Sequence, residues 1–259
     1  MNLLLDFTHT YSPDWISENK DLIHIDCTDI VGTDKYCMPE AEDELMQRIS
    51  RYPLKGIHFI DSGNYHYMTR IFTKRIDRPY NLVFFDNHND CQPTMISELL
   101  SCGAWAKEAA ESDDNLQKLV IIGPSEDTIN DIDVIKKEKL VCISWEEFSV
   151  YQNFKDLAGS LAEKADLRLP VYISVDKDVL SEEYARTNWN QGQMKLEELK
   201  GFLTCFFAAC KEYNSEILGV DICGELPERD AGFMEALKAE KINRRTNNEL
   251  YGFFKEVLR

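Results

Sequence analysis

Six side chains that could bind metal ions fall into three short motifs of this 259-residue chain. The first motif, Asp86-Asn87-His88-Asn89-Asp90, alternates two carboxylates with an imidazole. In an extended segment alternate side chains point to the same side, so these three groups share one face. Converging carboxylates are costly unless a cation neutralises them. The spacing therefore indicates a metal site, against the alternative of a polar loop with a capping aspartate.

The second motif contains Asp176 and Asp178, which again alternate, and the third places His66 shortly after Gly63. Taken alone, each could also be a helix cap, a solvated loop residue or a packing residue. Together the motifs supply four aspartates and two histidines. Such an oxygen-rich set suits Mn²⁺ or Mg²⁺ better than structural zinc. Six side chains are more than one ion needs, so the set favours two ions that share bridging carboxylates.

Short apolar runs precede these motifs and predict the elements that position them. Each run is about five residues long and rich in Ile, Val, Leu or Phe, which is typical of strands buried on both faces. The eight predicted strands are Leu3–Phe7, Leu22–Asp26, Gly56–Ile60, Leu82–Asp86, Leu119–Gly123, Leu140–Ser144, Val171–Val175 and Ile217–Asp221. Several of them end in carboxylates, as expected for a site at the carboxyl edge of a parallel sheet.

Longer segments between the strands space apolar residues three and four apart, which predicts amphipathic helices. The predicted helices are Glu40–Ser50, Tyr65–Lys74, Asp156–Ala165, Lys195–Tyr213, Arg229–Lys241 and about Asn247 to Leu258. Alternating strands and helices predict an α/β fold with helices on both faces of a parallel sheet. With no internal repeat and no linker rich in Gly, Ser or Pro, we expect residues 1–259 to form one domain.

Composition narrows the class of protein further. The formal net charge of −17 disfavours nucleic-acid binding, because an acidic surface repels phosphate backbones. No run approaches the ~20 apolar residues of a membrane span, and no hydrophobic stretch has signal-peptide length. The eight cysteines are scattered and form no CxxC pair. We therefore expect a reduced, cytoplasmic protein that binds neither nucleic acid nor membrane.

The three motifs together resemble those of the arginase, agmatinase and formimidoylglutamase group, the ureohydrolases. Asp86–Asp90 resembles the DxHxD motif of that group, and Ser174–Asp178 resembles its SxDxD motif. His66 stands where the group carries its first metal histidine, after a glycine-rich turn. The loop Trp189–Gly192 resembles the segment that precedes a helix in the same fold. The resemblance spans roughly residues 56–227 and is that of a remote, short, bacterial-type arginase-like member.

The resemblance implies a three-layer α/β/α fold with a mostly parallel sheet of about eight strands. It implies two Mn²⁺ ions and a bridging hydroxide that attacks a guanidinium or amidine carbon. By motif, one ion takes His66, Asp86, Asp90 and Asp176, and the other takes His88, Asp86, Asp176 and Asp178, so that Asp86 and Asp176 bridge. Asp90 is also a candidate catalytic residue. The expected function is hydrolysis of a linear C–N bond in a guanidino or amidino substrate.

Two departures from the family pattern bear on the substrate. Gly224 occupies the position of the glutamate that usually grips the guanidinium, and Glu225 lies one residue further on. A one-residue shift turns a side chain to the other face unless a bulge restores it. Glu225 is therefore a candidate substrate carboxylate, with a salt bridge or cap as the alternative. The loop histidine that assists proton transfer in arginases is missing, and His9 is a candidate replacement, with a loop histidine bonded to backbone as the alternative.

Two other functions compete with this hypothesis. One is a mononuclear zinc amide hydrolase related to the deacetylases, which usually shows paired histidines that this chain lacks. The other is a metal-binding protein without catalytic activity, which the two departures favour. The substrate could be a small molecule or an arginine side chain within a peptide. Ureohydrolases are often oligomers, and the sequence identifies no interface.

Overall fold

A computed structural model describes residues 1–93, 99–151 and 153–258. Its strands are β1 (Asn2–Asp6), β2 (Leu22–Asp26), β3 (Tyr36–Cys37), β4 (Ile57–Ile60), β5 (Tyr80–Phe85), β6 (Leu100–Ser101), β7 (Leu116–Ile122), β8 (Leu140–Ile143), β9 (Val171–Asp176) and β10 (Ile217–Cys223). Eight of these form one sheet in the order β2-β1-β4-β10-β9-β5-β7-β8, in which every neighbouring pair is parallel. The short strands β3 and β6 pair separately as an antiparallel ribbon.

The eight predicted strands are confirmed, since each overlaps one strand of the main sheet. The order of the strands within the sheet could not be predicted from the sequence. β9 and β10 come last along the chain, yet they lie between β4 and β5. Their insertion brings the carboxyl ends of β4, β10, β9 and β5 together at one edge, where residues distant in sequence meet.

Helices cover both faces of the sheet. They are α1 (Pro13–Glu18), α2 (Pro39–Ser50), α3 (Met68–Thr73), α4 (Trp105–Ser112), α5 (Glu126–Asn130), α6 (Trp145–Val150), α7 (Phe154–Ala165), α8 (Leu196–Glu212), α9 (Glu228–Ala231) and α10 (Phe233–Val257), with 3-10 turns at Gly63–Tyr65, Lys137–Lys139 and Lys177–Val179. Residues of α2, α3 and α4 pack in one hydrophobic cluster, and residues of α7, α8 and α10 pack in another. The predicted three-layer α/β/α architecture is confirmed, and the main sheet is wholly parallel.

Strand β5 shows why the sheet requires two helical layers. Leu82 and Phe84 belong to the cluster beneath α2, α3 and α4, whereas Val83 and Phe85 belong to the cluster beneath α7, α8 and α10. All four are fully buried. Because successive side chains of a strand point to opposite faces, a continuous apolar run must be covered on both sides.

The C-terminal region differs from the two helices predicted over Arg229–Lys241 and Asn247–Leu258. Gly232, with φ of +79°, separates the short α9 from α10, and α10 then continues without interruption to Val257. The expected break fails because Asn243 and Thr246 are polar residues on the buried face. Asn243 exchanges hydrogen bonds with the backbone of Arg186, and the Thr246 hydroxyl donates to a backbone carbonyl, so the buried polar groups are satisfied.

Four helices, α1, α4, α5 and α6, were not predicted from sequence. Three of them span five or six residues, too few to show a helical period. α4 spans only eight residues, about two turns, and its buried face consists of Trp105 and three alanines. Among the described residues, no helix combines the length and apolar character needed to cross a membrane.

His58 of β4 is fully buried and stacks on Phe72, with ring centroids 4.7 Å apart. Its Nε2 lies 2.8 Å from the carbonyl oxygen of Leu54. Burial lowers the pKa of His58 to about 4, below the ordinary value of 6.5, because the charged ring would lose its hydration.

We expect His58 to make the fold less stable as the pH falls from 6.5 towards 4. Over this range the unfolded chain binds a proton at position 58 that the folded protein does not, so unfolding is favoured. At pH 5 the loss should reach about 2 kcal/mol. Urea unfolding at pH 7 and pH 5 should show this extra loss in the wild type but not in His58→Gln, whose amide can still donate to Leu54. Identical pH dependence in the two proteins would contradict the expectation.

Candidate metal centre

The register of β5 and β9 places the first two motifs side by side. Phe85 of β5 pairs with Val175 of β9, so Asp86 and Asp176 leave adjacent parallel strands at the same level. His66 arrives from the other side, in the turn that follows β4 and its 3-10 segment. All three side chains are buried, and the convergence predicted from sequence is present.

One group of candidate ligands surrounds His66. Its Nδ1 lies 2.9 Å from Asp90 Oδ2, 3.0 Å from Asp86 Oδ2 and 3.7 Å from Asp176 Oδ2. Asp90 reaches this position through a left-handed backbone conformation with φ of +46°. The imidazole nitrogen and the oxygens of Asp86 and Asp90 therefore form one group of potential ligands, and Asp176 Oδ2 lies further from His66 Nδ1 than either of them.

A second group surrounds His88. Its Nδ1 lies 2.9 Å from Asp178 Oδ2 and 3.2 Å from Asp86 Oδ1. Asp86 thus presents one oxygen to each group, as a bridging carboxylate would. Asp176 differs, because its Oδ2 faces His66 while its Oδ1 accepts the backbone N–H of Asp178 at 2.9 Å.

Hydrogen bonds behind the ligands hold them in orientation. His66 Nε2 lies 2.9 Å from the hydroxyl of Ser174, which in turn donates to Asp221 Oδ1 at 2.6 Å. This relay occupies Nε2 and leaves Nδ1 for a metal ion, as outer hydrogen bonds typically do for ligating histidines. Trp105 Nε1 donates to Asp90 Oδ2 at 2.5 Å and fixes that carboxylate.

The electrostatics of the cluster show that it requires positive charge. Burial raises the pKa of Asp176 to about 7 and that of Asp178 to about 6, and the neighbouring carboxylates add to both shifts. Burial acts to lower the pKa of His66, but its hydrogen bonds to Asp86 and Asp90 outweigh burial and hold that pKa well above its ordinary value. Protons can supply the missing charge, and so can cations.

The donor set fits divalent cations. Four aspartates balance the charge of two divalent ions, and the histidines complete two groups of at least three ligands that share Asp86. Carboxylate oxygens with some imidazole are the donors that manganese prefers among the first-row metals. Five of the six candidate ligands that the sequence singled out lie in these two groups, and Asp176 belongs to a third group with His66 and Cys223.

Cys223 is a neighbour of the centre that sequence reasoning missed. It is fully buried at the end of β10, where it pairs with Asp176 of β9. Its Sγ donates to Asp176 Oδ2 at 3.1 Å, and it forms a third ligand-type cluster with His66 and Asp176. In the sequence, a cysteine at the end of an apolar strand is typical of a core residue. Only the alignment of β9 with β10 shows that Cys223 lies beside the candidate ligands.

The structure places Glu225 in a buried ion pair with Lys177. Gly224 has φ of +96°, and a Cβ there would lie 2.6 Å from Asp176 Oδ1 and 2.8 Å from the backbone nitrogen of Lys177. This turn directs Glu225 away from the candidate ligands. Its carboxylate accepts from Lys177 Nζ and from Asn247 Nδ2, and both charged groups of this ion pair are buried. The position matches the salt bridge that the sequence left as the alternative, and a role for Glu225 as a substrate carboxylate stays a prediction.

His9 also lies away from the candidate ligands. Its side chain is 67% exposed, and its Nδ1 is 3.3 Å from Asp6 Oδ2. Its backbone N–H donates to the other oxygen of Asp6 at 2.7 Å. Neither His9 nor Glu225 is among the described residues that line the cavity in front of the centre. A role for His9 in proton transfer stays a prediction.

A cavity of about 530 Å³ opens in front of the candidate ligands. All six of them contribute to its wall. The wall also includes Tyr36, Ser101 and Cys102 of the β3–β6 ribbon region, and Trp189 from the loop before α8. The volume is in the range that holds a small organic molecule.

Comparisons with known proteins agree with the fold and with the motifs. The model of the Arginase family matches residues 20–245. An uncharacterised protein of Thermotoga maritima is 31% identical over 206 residues, which cover 80% of this chain and 70% of that protein. A hypothetical agmatinase from Burkholderia thailandensis has a TM-score of 0.64 at 12% identity, covering 98% of this chain and 85% of that one. Proclavaminate amidino hydrolase from Streptomyces clavuligerus has a TM-score of 0.61 at 20% identity, covering 97% and 92%.

The fold and the family match together define a hydrolase that acts on C–N bonds. The chain belongs to the arginase family.

The buried ion pair of Lys177 and Glu225 should contribute to the stability of the fold, and this contribution can be measured. We expect Lys177→Met or Glu225→Met alone to lower the free energy of unfolding by about 3–5 kcal/mol, because each leaves an unpaired buried charge. The double variant should lose much less than the sum. Urea unfolding in the presence of EDTA measures this without a contribution from bound metal.

The exposed pair of Arg78 and Glu216 is a suitable control, since its side chains are 52% and 46% exposed. Arg78→Met should cost less than about 1 kcal/mol. Additive losses in the Lys177 and Glu225 double variant would show that the two residues do not act as a pair.

Proposed function

We propose that this protein is a dinuclear manganese hydrolase that cleaves a linear C–N bond of a guanidino or amidino substrate. The observation that carries the proposal is the meeting of two ligand groups that share the carboxylate of Asp86. The first ion would be held by His66, Asp86, Asp90 and Asp176, and the second by His88, Asp86, Asp176 and Asp178.

The chemistry follows from this arrangement. Two divalent ions, when bound, would supply a strongly acidified water as the nucleophile. Asp90 would hold the proton of that water, since Trp105 and the backbone keep its carboxylate at the floor of the cavity. Trp189 and the ribbon residues would exclude bulk water and keep a planar substrate group in front of the centre.

The cavity supports a substrate of modest size. Its volume admits a small guanidino or amidino compound or a single arginine side chain of a peptide. The names of two similar structures, an agmatinase and an amidino hydrolase, refer to substrates of this class. Gly224 leaves no carboxylate at the position from which the family usually grips the guanidinium, so other residues must orient the substrate.

The cysteines bear on the cellular setting of the proposed enzyme. The eight cysteines are free thiols, and Cys223 lies beside the candidate ligands. A reducing compartment such as the cytoplasm would protect this thiol and the centre next to it.

We expect protein that has been stripped with EDTA and reloaded with manganese to hold two ions per chain by elemental analysis. Asp178→Ala should hold one, because it removes a ligand of the second ion only. Metal that binds only the folded protein stabilises it, so manganese should raise the melting temperature of the wild type and EDTA should lower it.

Asp6→Asn is a matched control for the metal experiment. Asp6 is also a buried carboxylate at the edge of the sheet, with His24 and His9 as neighbours, but it lies outside the clusters of potential ligands. It should retain two ions. At most one ion in the wild type, or equal contents in the wild type and Asp178→Ala, would contradict the dinuclear centre.

We expect manganese-loaded protein to release urea or ammonia from at least one member of a panel of guanidino and amidino compounds that includes arginine peptides. Asp178→Ala should lower kcat/KM by more than the 10–100-fold that loss of an outer-shell group typically costs. Asp6→Asn should keep measurable turnover. A fully loaded wild type that turns over no member of the panel would contradict hydrolysis and favour a role in metal binding alone.

A further inference from the structure

Lys35 is a charged residue in the wall of the cavity that the proposed chemistry does not use. Among the described residues of that wall, Lys35 carries the one formal charge outside the six candidate ligands. The remaining wall residues are neutral. On a chain with a formal net charge of −17, a cation in this position is unexpected from composition alone.

Lys35 is held in place by the ribbon of β3 and β6. Its backbone carbonyl accepts the N–H of Cys102 at 2.9 Å, and the next residue, Tyr36, pairs with Ser101. Lys35 itself has a left-handed backbone with φ of +64°. The base of the side chain is therefore fixed, although its end is exposed.

The ammonium group of Lys35 has no carboxylate partner within the described part of the chain. The adjacent carboxylate of Asp34 is engaged by Arg229 and by the Asn64 amide. Lys35 Nζ instead lies 5.3 Å from the centre of the Trp189 ring. A cation at this distance from an aromatic face is attracted to it but keeps its capacity to bind an anion.

Trp189 connects Lys35 with the candidate metal centre. Its Nε1 donates to Asn64 Oδ1 at 3.0 Å, which fixes the indole, and its ring lies 5.9 Å from the ring of His88. A Cβ at Gly63 would lie 2.9 Å from Trp189 Cδ1, so the absence of a side chain there allows the indole to approach. The wall therefore runs from a candidate ligand, along an aromatic face, to a cation at the mouth.

We infer that the substrate is zwitterionic, with a guanidino or amidino group at the metal end and a carboxylate that pairs with Lys35. This inference rests on the proposed function. The four aspartates balance two divalent cations, so the acidic floor of the loaded site does not repel a distant carboxylate. A tail that carries an ammonium group would instead meet Lys35 and be repelled.

The test compares ligands that differ only in the charge of the tail. The probes are 4-guanidinobutyrate, the uncharged butylguanidine and 4-aminobutylguanidine, with dissociation constants measured by calorimetry on manganese-loaded protein. We expect the wild type to bind the carboxylate at least about 10-fold more tightly than the ammonium compound, a difference of ~1.4 kcal/mol. Lys35→Met should remove this preference, and Lys35→Glu should reverse it.

Lys20→Glu is the matched control, because it changes the net charge by the same amount at an exposed residue outside the cavity wall. It should keep the wild-type preference. Added salt should weaken the preference, as expected for a pair at the mouth of a cavity. A preference that survives Lys35→Met, a wild type that favours the ammonium compound, or a wild type that binds none of the probes would overturn the inference.

Turnover separates this inference from the function on which it rests. Hydrolysis of these compounds without a preference governed by Lys35 would contradict the zwitterionic substrate and leave the hydrolase intact. The expected binding pattern without any hydrolysis would contradict the proposed function and support Lys35 as an anion site.

Discussion

Four buried carboxylates that converge at one edge of a sheet are the constraint on which the rest of this structure depends. Asp86, Asp90, Asp176 and Asp178 are each less than 10% exposed, and like charges held so close together oppose folding. A parallel sheet can meet this cost, because neighbouring strands deliver their terminal residues at the same level and hold them rigidly. The insertion of β9 beside β5 is what brings two such residues together.

The protein offsets part of the repulsion with fixed hydrogen-bond donors. The backbone N–H of Asn87 donates to Asp178, that of His88 to Asp86, and that of Asp178 to Asp176. The indole of Trp105 does the same for Asp90. These donors are oriented by the turns that follow the strands, so the carboxylates are positioned before any ion arrives. Such an arrangement lowers the reorganisation that metal binding requires.

Sequence reasoning succeeded where a pattern was local and failed where a pairing was distant. Asp86, His88 and Asp90 alternate within five residues, and this spacing was enough to single them out, although Asp90 reaches the site through a left-handed backbone and not an extended one. The orientation of Glu225 depended on the backbone of Gly224 and on a lysine that lies 48 residues away in the chain. Cys223 lies beside the candidate ligands because β10 aligns it with Asp176 of β9. The sequence predicted a break in α10 because Asn243 is polar. Asn243 is nevertheless buried, since it exchanges hydrogen bonds with the backbone of Arg186.

The pairing of Lys177 with Glu225 bears on which side of the cavity would recognise the proposed substrate. The backbone N–H groups of Gly224 and Glu225 both donate to the carbonyl oxygen of Asp61. These bonds join the end of β10 to the end of β4. The Glu225 carboxylate accepts a hydrogen bond from Asn247 of α10. No free carboxylate therefore projects from this strand end into the cavity wall that the structure describes. Under the proposed function, recognition would come from the part of the wall where Trp189 and Lys35 offer an aromatic face and a cation. In this chain, the residues at the end of β10 support the candidate ligands, and the ribbon and the loop before α8 would meet the proposed substrate.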